Sequence, residues 1–244
     1  MNGKKTTKLI KRRFTFDSLL KSLKSELAVQ LGNSRQPQLL GNPRQPQSSE
    51  SHLMILLDVS SSMNKGDKVS QAKSGCRGFA EEMTSAGFAV GIITFSTTVT
   101  EILKPTRNIR EIYDAINPLK ASGSTNMADA IVNGMDRLLA WEARRMLFLV
   151  TDGMPDDKNK AIQMADEAKR LGIEIYTHGT KDADEEFLRK IASNKEIVRT
   201  VQDHLLGEGI CDMASSLKRL PPPRRLTPNE IPPKKTRSLP RHFG

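Results

Sequence analysis

Between residue 52 and about residue 218 the sequence alternates short apolar runs with stretches of helical periodicity, and this alternation limits the fold more than any other feature. The run from Leu53 to Leu57 has no polar position and is too short to cross a membrane, which is typical of a strand buried on both faces of a parallel sheet. We therefore expect an α/β fold with a doubly wound, mostly parallel six-stranded sheet and helices on both faces, as in Rossmann-like proteins.

Composition divides the chain into three parts. Residues 1–50 are a basic N-terminal extension, with an amphipathic helix predicted over residues 16–31 and a Gln/Pro-rich linker that contains the near-duplicates LGNSRQPQ and LGNPRQPQ. Residues 51–218 carry the α/β pattern. Residues 219–244 form a basic tail in which seven of the last 24 residues are proline, so we expect neither helix nor strand there.

The positive charge of the chain lies in the two extensions. Residues 1–50 have ten Lys or Arg against three Asp or Glu, and residues 218–244 have eight against one, so each segment has a net charge of +7. Residues 51–217 have a net charge of −4. The extensions therefore allow two hypotheses: salt-sensitive binding to nucleic acid, for which few aromatic residues interleave with the basic ones, or docking of a solvated tail on a protein partner.

Targeting signals and the cysteine content indicate the cellular compartment of the protein. The basic N-terminus is not followed by an apolar core of the length that a Sec signal needs, and no apolar stretch reaches 18 residues, so we expect a cytoplasmic protein without a membrane span. Cys76 and Cys211 both fall in apolar helical patterns, which predicts free buried thiols rather than a disulfide.

Oxygen-bearing side chains follow the predicted strand ends in three segments. DVSSS follows the first strand, GSTNM opens a helix at residue 127, and TDG follows the strand over residues 146–151. In an open parallel sheet these ends meet at one edge, where ligands bind. A set of two carboxylates and three hydroxyls favours Mg²⁺, with Mn²⁺ as the alternative, over Zn²⁺ or copper. The candidate metal ligands are Asp58, Ser60, Ser62, Thr125 and Asp152.

The three segments, in this order on this pattern, resemble the metal-ion-dependent adhesion site of the von Willebrand factor type A domain family, over residues 52–217. The resemblance implies that the hydroxyls of Ser60, Ser62 and Thr125 contact the metal directly, while Asp58 and Asp152 act largely through bound water. It also implies a non-enzymatic module in which an Asp or Glu carboxylate of a protein partner completes the coordination of the metal. Small relatives of this kind suggest an adaptor for an AAA-type ATPase or for a kinase or phosphatase signalling system.

Two enzyme classes share features of this pattern, but the sequence lacks a residue or motif that each of them needs. An aspartate at the end of a first strand is also found in haloacid dehalogenase-like phosphatases, but these need a second aspartate two residues later, where this chain has Ser60. A dinucleotide site needs a glycine-rich turn after the first strand, and DVSSSM contains no glycine. The four histidines show no metal-ligand spacing, and His178 is interpreted as a packed or solvated residue.

Overall fold

Six strands form one sheet in the computed structural model, which describes residues 50–220. The order across the sheet is β3-β2-β1-β4-β5-β6, and β3 is the edge strand, antiparallel to β2, whereas every other neighbouring pair is parallel. This confirms the predicted fold class. The strands are β1 Ser51–Asp58, β2 Phe88–Phe95, β3 Val99–Thr106, β4 Arg145–Thr151, β5 Glu174–Thr180 and β6 Arg199–Val201.

Helices connect the parallel strands, as the right-handed crossover of such sheets requires. Several begin at a residue whose side chain accepts a backbone N–H, among them Asn126 and Asp157. The α-helices are α1 Lys68–Ser85, α2 Ile109–Ile116, α3 Met127–Leu139, α4 Lys158–Arg170, α5 Glu185–Ile191 and α6 Leu206–Arg219. Short 3₁₀ segments cover Ser61–Asp67, Lys195–Ile197 and Asp203–Leu205. No helix within residues 50–220 is long and apolar enough to cross a membrane.

The core lies on both faces of the central strands. Leu53 on β1 belongs to the apolar cluster that also contains Phe79 of α1 and Ile210 of α6. On the opposite face, Gly134 of α3 lies against Leu56 of β1. Because successive side chains of a strand point to opposite faces, an uninterrupted apolar run is what a strand covered by helices on both sides needs.

The structure differs from the predicted elements at two places. The sequence EIVRTV over residues 196–201 predicts a last strand, but β6 covers only Arg199–Val201 because Asn194 caps a 3₁₀ turn over Lys195–Ile197. The apolar spacing of Ile131, Met135 and Leu138 predicts a helix over residues 127–143, but α3 ends at Leu139. Trp141 beyond it stacks on His52 with ring centroids 4.0 Å apart. The predicted N-terminal helix, the linker and the proline-rich tail lie outside the described residues, so their boundaries stay predictions.

Helices α1 and α6 pack with their backbones in close approach. A Cβ atom added to Gly75 of α1 would lie 2.6 Å from the carbonyl oxygen of Gly207 on α6, which is closer than such atoms can come. Cys211 of α6 lies beside the same contact. Both Cys76 and Cys211 are free thiols, as predicted, and Cys76 is buried, whereas Cys211 is only half-buried. The two glycines therefore allow α6 to sit against α1.

His178 on β5 is buried without a hydrogen bond to either ring nitrogen from the part of the chain that the structure describes. Its imidazole packs against Gly209 of α6, where an added Cβ would lie 2.5 Å from Nε2. Burial, helped by the charge of Arg199, lowers the pKa of His178 to about 4. The folded protein therefore holds His178 as a neutral, packed side chain, in agreement with the packed interpretation.

The glycine contact gives a first prediction. Gly75→Ala should lower the free energy of unfolding by about 2 kcal/mol or more, because the new methyl group meets a backbone carbonyl that cannot move aside. Gly78→Ala on the same helix is the control, since its methyl would meet only the Cys211 thiol, which can rotate away. Urea denaturation measures both. An equal loss in the two variants would contradict the packing argument.

A second prediction concerns acid stability. Unfolded His178 takes up a proton below its ordinary pKa of 6.5, whereas the folded protein resists protonation down to about pH 4. Its contribution is therefore complete above about pH 7 and is lost as the pH falls towards 4, by roughly 2–3 kcal/mol. His178→Leu should remove this part of the pH dependence in urea melts. His204→Leu, at an exposed histidine, should keep the wild-type profile; if both variants keep it, the assignment is wrong.

Candidate functional site

Strand β1 ends at Asp58, whose carboxylate is buried and accepts a hydrogen bond at each oxygen. The backbone N–H of Ser60 donates to Oδ1 at 2.8 Å, and the hydroxyl of Thr151 at the end of β4 donates to Oδ2 at 2.6 Å. Burial raises the pKa of Asp58 to about 6, although these hydrogen bonds act in the opposite direction. The carboxylate is thus held in one orientation at the carboxyl edge of the central strands.

A chain of hydrogen bonds joins the two serines to the second predicted aspartate. The Oγ atoms of Ser60 and Ser62 lie 2.9 Å apart, and the hydroxyl of Ser62 donates to Oδ1 of Asp152 at 2.6 Å. The structure therefore brings four of the predicted ligands, Asp58, Ser60, Ser62 and Asp152, to one place between the ends of β1 and β4.

Thr125 reaches the same edge through its loop. The N–H of Ser61 donates to the carbonyl oxygen of Gly123 at 2.9 Å, which joins this loop to the segment that follows β1. On the other side, the N–H of Thr125 donates to Oδ1 of Asp156 at 3.0 Å, and the N–H of Asp156 returns a bond to the carbonyl oxygen of Thr125 at 3.0 Å. These bonds use the backbone of Thr125, so direct ligation by its hydroxyl stays a prediction.

A buried lysine that the sequence analysis missed lies against the site. Lys68 is the first residue of α1, and its side chain is 1% exposed. Its Nζ atom donates to Oδ2 of Asp152 at 2.9 Å and to Oδ2 of Asp182 at 2.8 Å, and it lies 3.4 Å from Oδ2 of Asp203. Burial lowers the pKa of Lys68, but the hydrogen bonds to Asp182 and Asp152 outweigh it, so the pKa is raised and the ammonium stays charged.

The backbone before Lys68 explains why it points inwards. Gly66 and Asp67 have φ values of 59° and 60°, and two left-handed residues in succession turn the chain sharply into the helix. From the sequence alone, Lys68 is expected on the solvent-exposed polar face of a helix. The only sequence signal for the turn that directs it inwards is Gly66. The sequence PDD at residues 155–157 predicts a helix start, and Asp157 caps α4, whereas Asp156 binds the backbone of Thr125.

The donor set fits a hard divalent cation by its chemistry. The hydroxyls of Ser60 and Ser62 and the carboxylate of Asp152 form one hydrogen-bonded chain, and the carboxylate of Asp58 joins it through the backbone N–H of Ser60. Within residues 50–220 no group of three or more His, Cys, Asp or Glu side chains is placed to hold a metal ion, so a cation at this edge would depend on the serine and threonine hydroxyls. The identity of each ligand stays a prediction.

The part of the chain that carries this site matches a known protein family. The model of the von Willebrand factor type A domain family matches residues 52–206, which is more than half of the chain. Among curated proteins, a UPF0353 protein of Mycobacterium sp. (strain KMS) is 25% identical over 193 residues, covering 69% of this chain and 56% of the relative. The chain thus spans about half the length of the curated relatives it matches, from 43% to 56%.

Solved structures share the fold at low sequence identity. The pilus adhesin SpaC from Lactobacillus rhamnosus GG superposes with a TM-score of 0.62 at 15% identity, covering 72% of this chain and 31% of the adhesin. The manganese-loaded TRAP protein of Plasmodium vivax superposes with a TM-score of 0.57 at 17% identity, covering 66% of this chain and 72% of that one. At these identities the likeness establishes the fold alone.

The hydrogen bond between Thr151 and Asp58 gives a prediction at this site. Thr151→Val keeps the shape of the side chain but leaves one oxygen of a buried carboxylate without its donor, so unfolding should become easier by about 1–3 kcal/mol. Thr177→Val on β5 is the control, because its hydroxyl lies 3.5 Å from its acceptor. Both are measured by urea denaturation at pH 8, where Asp58 is ionised. Equal losses would contradict a special role for this hydrogen bond.

Proposed function

This chain belongs to the von Willebrand factor type A domain family, and from this premise we propose that it is a non-enzymatic protein-binding module that captures a partner's Asp or Glu carboxylate through a Mg²⁺ ion. The observation that carries the proposal is the hydrogen-bonded cluster of Asp58, Ser60, Ser62 and Asp152 at the ends of β1 and β4. Two solved structures that share its fold support it, one a pilus adhesin and the other a manganese-loaded protein.

Each residue of the cluster has a separate task in this proposal. Asp58 supplies a buried negative charge whose direction is set by Ser60 and Thr151. The Ser60 and Ser62 hydroxyls supply neutral oxygens, and Asp152 orients Ser62 by accepting a hydrogen bond from its hydroxyl. Thr125 would complete the hydroxyl set from its loop. When bound, Mg²⁺ or Mn²⁺ supplies a positive centre that a carboxylate from outside can approach.

The proposal includes a partner class and a location, which rest on the sequence. We place the protein as a cytoplasmic adaptor that serves an AAA-type ATPase or a kinase or phosphatase signalling system. In that setting the partner's contribution is an acidic residue at a protein surface.

The prediction for this function is metal-dependent capture. Full-length protein is used as bait in nuclease-treated lysate of its native host, once with Mg²⁺ and once with EDTA, and bound proteins are identified by mass spectrometry. A partner retained only with Mg²⁺ is the expected result. Asp152→Asn should lose this partner, because the amide lacks the charge-assisted hydrogen bonds from Ser62 and Lys68 that hold the Ser62 hydroxyl in the oxygen set. Asp166→Asn, an equal charge change on the exposed face of α4, should keep it.

The same experiment tests the alternative. The basic extensions favour association with nucleic acid, which would be independent of the divalent ion and would weaken steeply with salt. Equal recovery of partners with Mg²⁺ and EDTA would refute metal-bridged capture. Binding of the untreated bait to duplex DNA in EDTA, lost at high salt, would then favour the alternative.

A further inference from the structure

Lys68 places a buried positive charge directly beside the oxygen cluster. We propose that Lys68 is a positioning residue that commits Asp152 to hydrogen bonding and offsets its charge, so that the site binds divalent cations weakly and leaves their charge available to a partner's carboxylate. This inference rests on the proposed function, because it concerns the same site. It assigns a task to a residue that lies outside the predicted ligand set.

The hydrogen bonds of Asp152 are the first step. Oδ1 accepts from the hydroxyl of Ser62 at 2.6 Å, and Oδ2 accepts from Nζ of Lys68 at 2.9 Å. Both the carboxylate of Asp152 and the side chain of Lys68 are withdrawn from solvent, at 0% and 1% exposure. With both oxygens engaged, Asp152 would have to break a buried, charge-assisted bond to turn towards a metal.

The exposure of the three carboxylates determines where the charge of Lys68 acts. Asp182 and Asp203 also contact Nζ, but their side chains are 66% and 37% exposed, so water screens their charges. Asp152 has no such screening. The positive charge of Lys68 therefore offsets mainly the negative charge of Asp152, and a cation bound beside Ser62 would be attracted by Asp58 with little help from the second aspartate.

The backbone holds Lys68 in this position. The left-handed pair Gly66 and Asp67 delivers it to the start of α1, and a Cβ atom at Gly66 would lie 3.3 Å from Oδ2 of Asp203. The turn thus packs against one of the carboxylates that Lys68 contacts. The turn, the helix start and Asp203 therefore hold the ammonium at its buried position.

The experiment compares Mn²⁺ binding by full-length variants, with free Mn²⁺ measured by electron paramagnetic resonance. Lys68→Met removes the charge at similar length, and its Kd for Mn²⁺ should fall at least about tenfold, because Asp152 regains its full attraction for the cation. Lys65→Met is the matched control, since Lys65 is an exposed lysine three residues away, and it should change the Kd less than about threefold. Lys68→Arg should keep the weak binding of the wild type.

A merely structural lysine predicts a different pattern. If Lys68 only stabilised the fold, Lys68→Met would bind Mn²⁺ as weakly as the wild type or more weakly, which would overturn the inference while leaving the proposed function intact. Binding by Lys68→Met alone, with none by the wild type, would support the charge offset by Lys68 but would contradict metal-bridged capture by the wild type. Binding by neither protein would refute the metal-bridged function, and the inference with it.

Loss of folding in Lys68→Met does not remove the test, because the cation can replace the missing charge. The midpoint of thermal unfolding is then followed by circular dichroism as Mn²⁺ is added. The variant should recover its folded state at Mn²⁺ concentrations below those that stabilise the wild type. A variant that stays unfolded at all Mn²⁺ concentrations would overturn the inference.

Discussion

The burial of two carboxylates at the carboxyl ends of β1 and β4 is the constraint on which the rest of this structure depends. A buried carboxylate without partners is costly, and each of the two is satisfied by residues from elsewhere in the chain. Thr151 and the backbone of Ser60 satisfy Asp58, and Ser62 and Lys68 satisfy Asp152. The loops at this edge therefore owe their arrangement to the charges they surround.

Parallel pairing brings these residues together. Because β1 and β4 are neighbours with the same direction, Asp58 and Thr151 end their strands side by side although 93 residues separate them. The loop that carries Thr125 then spans the two sides, with one hydrogen bond to the segment after β1 and another to Asp156 after β4. The contact between α1 and α6 at Gly75 and Gly207 helps to fix the position of α1, whose first residue is Lys68.

Sequence patterns predicted the sheet and most of the cluster for a physical reason. Apolar runs reveal buried strands, and oxygen-bearing residues at their ends reveal a polar edge, so Asp58, Ser60, Ser62 and Asp152 could be placed together. Lys68 could not, because a lysine beside Val69 at the start of a helical pattern has the same appearance whether it faces water or a buried carboxylate. Its direction depends on φ at Gly66 and Asp67, and on Asp182 and Asp203, which are far away in sequence.

The ion pair between Lys68 and Asp152 is not explained by stability. Removing two charges from water costs several kcal/mol per ion, and well-packed apolar residues of similar volume often give equal or greater stability. A chain that needed only a firm core at this edge would do as well without either charge. The pair has a different use. It keeps one oxygen of Asp152 directed at Ser62, and the ammonium of Lys68 offsets the negative charge of Asp152. A site that binds a cation without neutralising its charge needs both.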